Sequence, residues 1–334
     1  MDGAWLASAG ALDAASGSIE LSVVVPVFNE EANLPRLHAA VVQALEGIAF
    51  ELVLVDDGSK DRSVEIMRAL ASAHPEVAVV ELVRNSGQHA AVLAGFTVTR
   101  GDYVVTLDAD LQNPPEEIPL LLAELRRGHD LVGTFRERRL DGWLRRRISE
   151  AVNVVTRASL GAGMRDYGCM LRGYRRDVVL EVVALAEQAA FVPALAMTIA
   201  ADPIEIPVQH RERKEGSSRY SPLKLMRLGL DLITGYSLLP IQLVSLLGVA
   251  VAVLGTAFAV FLFLRRLVVG PESEGVFTLF AILFAVQGVL LLAVGLVGEY
   301  VGRIYAEVRR RPLFRIRRVT RGGVEVPAPV VARA

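Results

Sequence analysis

Residues 104–117 read Val-Val-Thr-Leu-Asp-Ala-Asp-Leu-Gln-Asn-Pro-Pro-Glu-Glu. The stretch opens as a β-branched apolar run, the pattern of a buried strand. It stops at Asp108 and Asp110, with only Ala109 between them. Pro114 and Pro115 end the strand and let a helix start behind them. Ligands of an open α/β sheet sit at the carboxyl ends of its strands. Two carboxylates placed there repel each other unless a cation lies close by. Hard oxygen donors suit Mg²⁺ or Mn²⁺, which usually arrive with substrate phosphates. Gln112 adds a neutral oxygen two residues on. The stretch reads as a metal–diphosphate site, although an isolated Asp-x-Asp is also at home in a solvated turn.

The stretches before it repeat the pattern. Residues 21–27 are a buried strand ending at Phe28-Asn29-Glu30-Glu31, followed by a helical repeat of Leu34, Leu37, Val41 and Leu45. Helix capping alone would account for Asn29 and Glu30. Residues 50–55 are a second strand, ending at Asp56-Asp57-Gly58-Ser59. Asp57 there suits a nucleotide base or ribose, or a turn that places Gly58 at positive φ. A helix over 61–73, a strand over 77–83, the loop Asn85–His89 and a small-residue helix lead back to the opening stretch. Alternating strands and helices predict an α/β fold with a parallel, doubly wound sheet. Acidic residues at 30, 57 and 108–110 then converge on one rim. That convergence favours a site over three separate turns.

Beyond Pro115 the pattern gives a helix from Ile118 and a strand over 130–134, running into Arg136. The Arg-rich run that follows reads as a solvated face or as an anion-binding one. Asp166, in a Gly-flanked loop, suits a substrate contact and a turn cap equally. Residues 204–208 form a late strand leading into a basic, hydroxyl-bearing loop (211–220) with Arg213 and Arg219. This loop reads as a lid over a diphosphate or as a linker.

Bulk composition narrows the class. The 334 residues are 52% hydrophobic with a mean hydropathy of +0.41, too apolar for an ordinary soluble enzyme. The formal net charge of −1 gives no reason to expect nucleic acid. The single Cys169 rules out an internal disulfide, and the five histidines lack metal-ligand spacing along the chain. Residues 1–20 read as a mobile tail rather than a signal peptide.

The apolar excess lies near the C-terminus. Residues 222–239 are amphipathic and suit an interfacial helix. Residues 241–264 and 276–298 hold no charged residue, and each matches the roughly 20 residues a membrane crossing needs. Their flanks place the catalytic domain (21–221) and a basic tail (299–334) in the cytoplasm. Arg265 and Arg266 stand between the runs, against eight Arg between 303 and 321. An activated water-soluble donor and a lipid acceptor fit that arrangement. A phosphate monoester, with a second pKa of about 6, is already nucleophilic at neutral pH.

Four motifs resemble the inverting GT-A glycosyltransferases of family 2, in the branch acting on polyprenyl phosphates. They are Val25-Pro26-Val27-Phe28-Asn29-Glu30, Asp56-Asp57-Gly58-Ser59, Asp108-Ala109-Asp110-Leu111-Gln112-Asn113-Pro114-Pro115 and Gly133-Thr134-Phe135-Arg136. The likeness runs from about residue 20 to about residue 318. It implies a GT-A domain with two membrane helices in the bacterial inner membrane. It also implies a nucleotide-sugar donor, UDP-linked, and a polyprenyl phosphate acceptor. The sugar stays open between 4-deoxy-4-formamido-L-arabinose and a hexose such as glucose or mannose. Pro26, Phe28, Glu30, Val55, Asp57 and Ala109 would hold the nucleotide, and Arg136 and Arg219 its diphosphate or the acceptor phosphate. Asp108, Asp110 and Gln112 would hold Mg²⁺ or Mn²⁺. The catalytic set implied is Asp108, Asp110, Asp166 and Arg213. Relatives suggest a homo-oligomer, a tetramer. The family's Tyr at position 28 is Phe here, and its Lys at 219 is Arg. The Gln-x-x-Arg-Trp signature of processive synthases is absent, and the paired carboxylates argue against a silent scaffold.

Overall fold

In a computed structural model, residues 19–136, 169–186, 191–209, 239–269, 276–308 and 312–329 are described. Asp166, Arg213, Arg219, the Arg-rich run after 136 and the amphipathic stretch 222–238 lie outside them. The chain divides into two units, residues 1–224 with 310–334, and residues 225–309.

The first unit is built on β1 (Leu21–Val27), β2 (Phe50–Asp56), β3 (Val77–Leu82) and β4 (Tyr103–Thr106). Each reads as an apolar run because both faces of the sheet are covered. The helices between them are α1 (Leu34–Ala44), α2 (Ser63–Ala73) and α3 (Gln88–Phe96). Beyond β4 a short 3₁₀ turn, Pro115–Glu117, precedes α4 (Ile118–Arg126), with Pro119 in its first turn. Then come β5 (Leu131–Arg136), β6 (Arg172–Arg175), α5 (Arg176–Leu185), α6 (Val192–Ile199) and β7 (Pro203–Val208).

Among the described residues the sheet has nine strands, in the order β7-β5-β6-β4-β1-β2-β3 followed by β8 (Ile316–Arg321) and β9 (Val324–Val326). β1 is parallel to β2 and β4, and β2 to β3. The register sets Val24 beside Thr106 and Val27 beside Asp56. β6 runs antiparallel to both β4 and β5, so β4, β5 and β7 share one direction. The expected mostly parallel sheet is present, with β6 inserted against it. Alternate β1 residues (Leu21, Val23, Val25, Val27) join one core with Leu34, Leu37 and Val41 of α1, Met67 of α2, and Leu121 and Leu125 of α4. Removing one of these buried leucines to Ala costs about 2–5 kcal/mol.

The C-terminal segment corrects one expectation. The sequence reading makes residues 299–334 a tail, yet β8 pairs antiparallel with β3, and β9 folds back on β8. Gly322 and Gly323 both take positive φ, 52° and 76°, as a two-residue hairpin turn requires. The Gly-Gly pair was the available signal; the Arg-rich composition around it masked strands of only six and three residues.

The second unit holds α7 (Leu239–Val269) and α8 (Val276–Val308), of 31 and 33 residues. At a rise of about 1.5 Å per residue they run for roughly 46 and 50 Å. Both extend past the expected boundaries of 264 and 298. Restricted to the described side chains, no helix is long and apolar enough to cross a membrane.

Candidate active site

The site is laid out by strand direction. Because β1, β2 and β4 are parallel, the residues that follow each strand meet at one rim. The backbone carries the pattern one step further, with Asp57 N–H donating to Val27 C=O at 2.8 Å and Leu107 N–H to Val24 C=O at 3.0 Å.

Two loops are laced together at that rim. Asn29 takes φ +56°, and its N–H donates to Ser59 Oγ at 3.0 Å, while its Oδ1 accepts from Lys60 N–H at 2.7 Å. Glu30 N–H donates to Ser63 Oγ at 2.9 Å, and Asn33 Nδ2 donates to Glu30 Oε2 at 2.7 Å. The N-cap of α1 is Asn33, with no side-chain cap bond. The Glu30 carbonyl accepts from Asn33 N–H at 3.0 Å and Leu34 N–H at 3.2 Å, so Glu30 opens α1 through its backbone while the Asn29 side chain ties this loop to Lys60.

Asp56 and Asp57 divide the next loop between them. Asp56 accepts from Gly58 N–H at 3.1 Å and Ser59 N–H at 3.0 Å, which closes the turn. Gly58 sits at φ +73°, and a Cβ there would lie 2.7 Å from Asn85 N, so only Gly fits. Asp57, buried, accepts from Ser86 N–H at 2.6 Å and Gly87 N–H at 3.0 Å. Burial raises its carboxyl above the usual range against those two bonds, and the neighbouring Asp56 adds to the rise. Both oxygens are engaged by backbone, and each retains a lone pair for a ligand.

The acidic pair follows β4. Asp108 Oδ1 accepts from Gln88 Nε2 at 2.7 Å, and Oδ2 accepts from Asn113 Nδ2 at 3.4 Å. Asp110 Oδ1 accepts from Gln112 N–H at 3.1 Å, and its Oδ2 accepts from the Gln112 amide. Between them Leu111 takes φ +59°, a conformation that is costly for a branched side chain and that gathers at functional turns. Its side chain packs against the core, which holds the turn.

Pro26 and Val55 stand opposite each other on β1 and β2. Val55 and Ala109 are buried, so they shape the floor of the rim and offer backbone rather than side chains. Arg136 ends β5 and pairs with Val208 of β7. Strand direction brings that end to the same rim as Asp108. Arg213 and Arg219 lie outside the described residues.

Four residues of this neighbourhood carry no assignment from the sequence. Gln88, the first residue of α3, and Asn113, in the turn after β4, fix Asp108, and isolated polar residues at such positions give no periodic signal. Arg172 is fully buried at the start of β6, where its Nε donates to Cys169 C=O at 2.8 Å. His89, beside Gln88, packs edge-on against Phe191 with ring centroids 4.7 Å apart. Burial, with Arg172 nearby, depresses its pKa to about 4, so it is neutral at pH 7.

Asp108 and Asp110 are both partly exposed and supply carboxylate oxygens from one tight turn. That donor set fits Mg²⁺ or Mn²⁺. Gln112 is spent in part on Asp110, and only its carbonyl oxygen is left for a ligand.

Comparison with known proteins agrees with this architecture. Residues 22–183 match the family described as Glycosyl transferase family 2. A protein of Edwardsiella ictaluri named undecaprenyl-phosphate 4-deoxy-4-formamido-L-arabinose transferase is 49% identical over 306 residues, covering 90% of this chain and 94% of its own. A protein of the same name from Pseudomonas aeruginosa is 50% identical over 308 residues, covering 90% of each chain. Among solved structures, a mycobacterial protein overlays with a TM-score of 0.50 at 21% identity, over 69% of this chain and 75% of that one, which shows a shared fold. With sequence identity of this extent running through both units, the chain belongs to glycosyl transferase family 2.

Proposed function

We propose that this glycosyltransferase moves one sugar, with inversion, from a UDP-linked donor to undecaprenyl phosphate or a similar polyprenyl phosphate. 4-Deoxy-4-formamido-L-arabinose is the favoured sugar, from the names of the relatives. The observation that carries the proposal is the convergence of Glu30, Asp57, Asp108 and Asp110 at one sheet rim, in a chain about half identical to transferases so named.

The lipid phosphate oxygen attacks the anomeric carbon, and the bond from that carbon to the nucleoside diphosphate breaks with its electron pair. The acceptor is already a dianion at neutral pH, so no general base is needed. Positioning and charge then do the work. Asp57 and the backbone at Pro26, Val55 and Ala109 seat the nucleotide, and Glu30 orients the loop beside it. Asp108 and Asp110, with the Gln112 side-chain carbonyl, would hold Mg²⁺ or Mn²⁺, and the ion would supply positive charge beside the departing diphosphate. Arg136, Arg213 and Arg219 take the diphosphate and the acceptor phosphate, and Asp166 contacts substrate.

α7 and α8 are read as a membrane hairpin in the inner membrane, with the first unit in the cytoplasm. The charge-free runs 241–264 and 276–298 support this. So do large apolar side chains standing outward, such as Leu254 at 70% exposure and Val268 at 86%. The chain also leaves the sheet-bearing unit and returns to it as β8, which an even number of crossings allows.

The test is to incubate the purified full-length protein with undecaprenyl phosphate and a panel of UDP- and GDP-sugars, and to read the lipid by mass spectrometry. A glycosyl-phosphate lipid from one UDP-sugar is expected. No product with any donor, in the presence of Mg²⁺ or Mn²⁺, would sink the reading.

A further inference from the structure

Apart from the acidic rim, the fold brings His38 of α1 to His74 and Glu76, two neighbouring positions of the α2–β3 connection at least 36 residues further on. His38 lies on the inward face of α1 with Leu34, Leu37 and Val41. His74 is the C-cap of α2, and Glu76 follows it across Pro75. One ligand atom from each falls within 4.8 Å of the other two. The spacing of histidines along the chain argued against a metal; the packing of α1 on α2 supplies the proximity that spacing lacked.

The distances suit a small tetrahedral ion. Glu76 Oε1 is 3.4 Å from His38 Nε2 and 3.6 Å from His74 Nδ1. With zinc–ligand bonds of about 2.0–2.1 Å, neighbouring corners of a tetrahedron stand roughly 3.3–3.4 Å apart. Two edges are therefore almost at length before any ion enters. The backbone is also fixed: His74 N–H donates to Leu70 C=O at 2.9 Å, Val77 N–H to His74 C=O at 3.0 Å and Leu52 N–H to Glu76 C=O at 2.8 Å.

A second observation points to a ligand. His38 is only 8% exposed, and its Nε2, sealed from solvent, faces Glu76 Oε1 at 3.4 Å without an aligned hydrogen bond. The imidazole of His74 lies beside it. The two rings lie 4.2 Å apart between centroids, tilted by 46°. The cluster opens into a surface groove that Glu46 also lines, so an ion has an entry path and added negative charge.

We infer that His38, His74 and Glu76 form a second metal site, separate from the carboxylate rim, that takes a borderline divalent ion of the Zn²⁺ class and leaves one position for water. Imidazole nitrogens select that class over Mg²⁺, which suits the carboxylate turn. Bound there, the ion clamps α1 to the α2–β3 connection and stabilises the domain by mass action.

The test uses the full-length protein in detergent, without a histidine tag, stripped with chelator and then held in excess Mg²⁺. Zn²⁺ titrated by calorimetry is expected to bind at one equivalent per chain and to raise the melting temperature. Co²⁺ in its place is expected to give the visible absorption of a four-coordinate nitrogen–oxygen site. His74→Gln, at a half-exposed position, and Glu76→Gln are each expected to weaken Zn²⁺ by about tenfold or more, while circular dichroism stays unchanged. His38→Gln is a supporting variant only, because its burial ties it to folding. Absence of stoichiometric Zn²⁺ binding, or binding of equal strength in both His74→Gln and Glu76→Gln, overturns the inference.

Discussion

The guanidinium of Arg321 on β8 closes on the buried carboxylate of Glu51 on β2, 270 residues earlier in the chain. Arg100 shares the same carboxylate, with its Nε 3.1 Å from Oε2, and Ser22 Oγ donates to Oε1 at 2.7 Å. Glu51 is 1% exposed at its side chain and Arg321 19%. The pair staples the C-terminal strand to the centre of the sheet. Breaking a buried pair from one side strands the other charge, which costs about 3–5 kcal/mol. Arg321→Ala leaves Glu51 with Arg100 and Ser22, so a smaller loss, about the 1.5–3 kcal/mol of a charge-assisted hydrogen bond, is expected in urea unfolding, with Arg321→Lys recovering part. A loss under 1 kcal/mol in Arg321→Ala would mean that the strand is held by something else.

Acid should unfold the domain through two groups. Burial raises the Glu51 carboxyl, but Arg321, Ser22 and Arg100 outweigh it, and the net shift is downward. Its contribution is present above the unfolded value of about 4.3 and fades as pH falls through the folded one. His89 is depressed from 6.5 to about 4. Its contribution is complete above about 6.5 and is lost as pH drops toward 4. Melting temperature against pH is expected to slope in that window and to flatten in His89→Gln. Unchanged slopes would remove His89 from the account.

Asp110→Asn is expected to reduce transfer at least about a hundredfold while the protein stays folded and in the membrane fraction. Chelator is expected to stop the wild type, and added Mg²⁺ or Mn²⁺ to restore it. Turnover that survives both treatments removes the metal from the mechanism.

Gln88→Ala removes the amide that holds Asp108 without touching the core. Stability is expected to stay within about 0.5 kcal/mol, and donor turnover to fall roughly tenfold. Equal turnover in the variant would show that Asp108 is held adequately by Asn113.

Gly58→Ala places a Cβ against Asn85 N at 2.7 Å, at a positive φ of 73°. A cost of about 1–3 kcal/mol is expected, together with a raised donor KM, because Asp57 and the Ser86–Gly87 amides move with that turn. A raised kcat with unchanged KM would contradict the role given to the loop.

The alternation of apolar strands and amphipathic helices made β1 to β4 legible, since short-range periodicity carries that information. The acidic endings at Glu30, Asp57, Asp108 and Asp110 were legible too, because parallel strands must bring their carboxyl ends together. Strand β6 was not, as four residues beginning with a buried Arg172 show neither alternation nor an apolar run. Nor was the return of residues 316–326 to the sheet, whose alternation is hidden under arginine.

The sequence by itself determined the α/β class, the acidic rim and the two charge-free helices, because each is written in neighbouring residues. Tertiary structure alone decided which polar groups meet: Gln88 on Asp108, Arg321 on Glu51, and His38 beside His74 and Glu76. Those partners are tens to hundreds of residues apart. Their proximity comes from how helices pack on a twisted sheet, which no local pattern encodes.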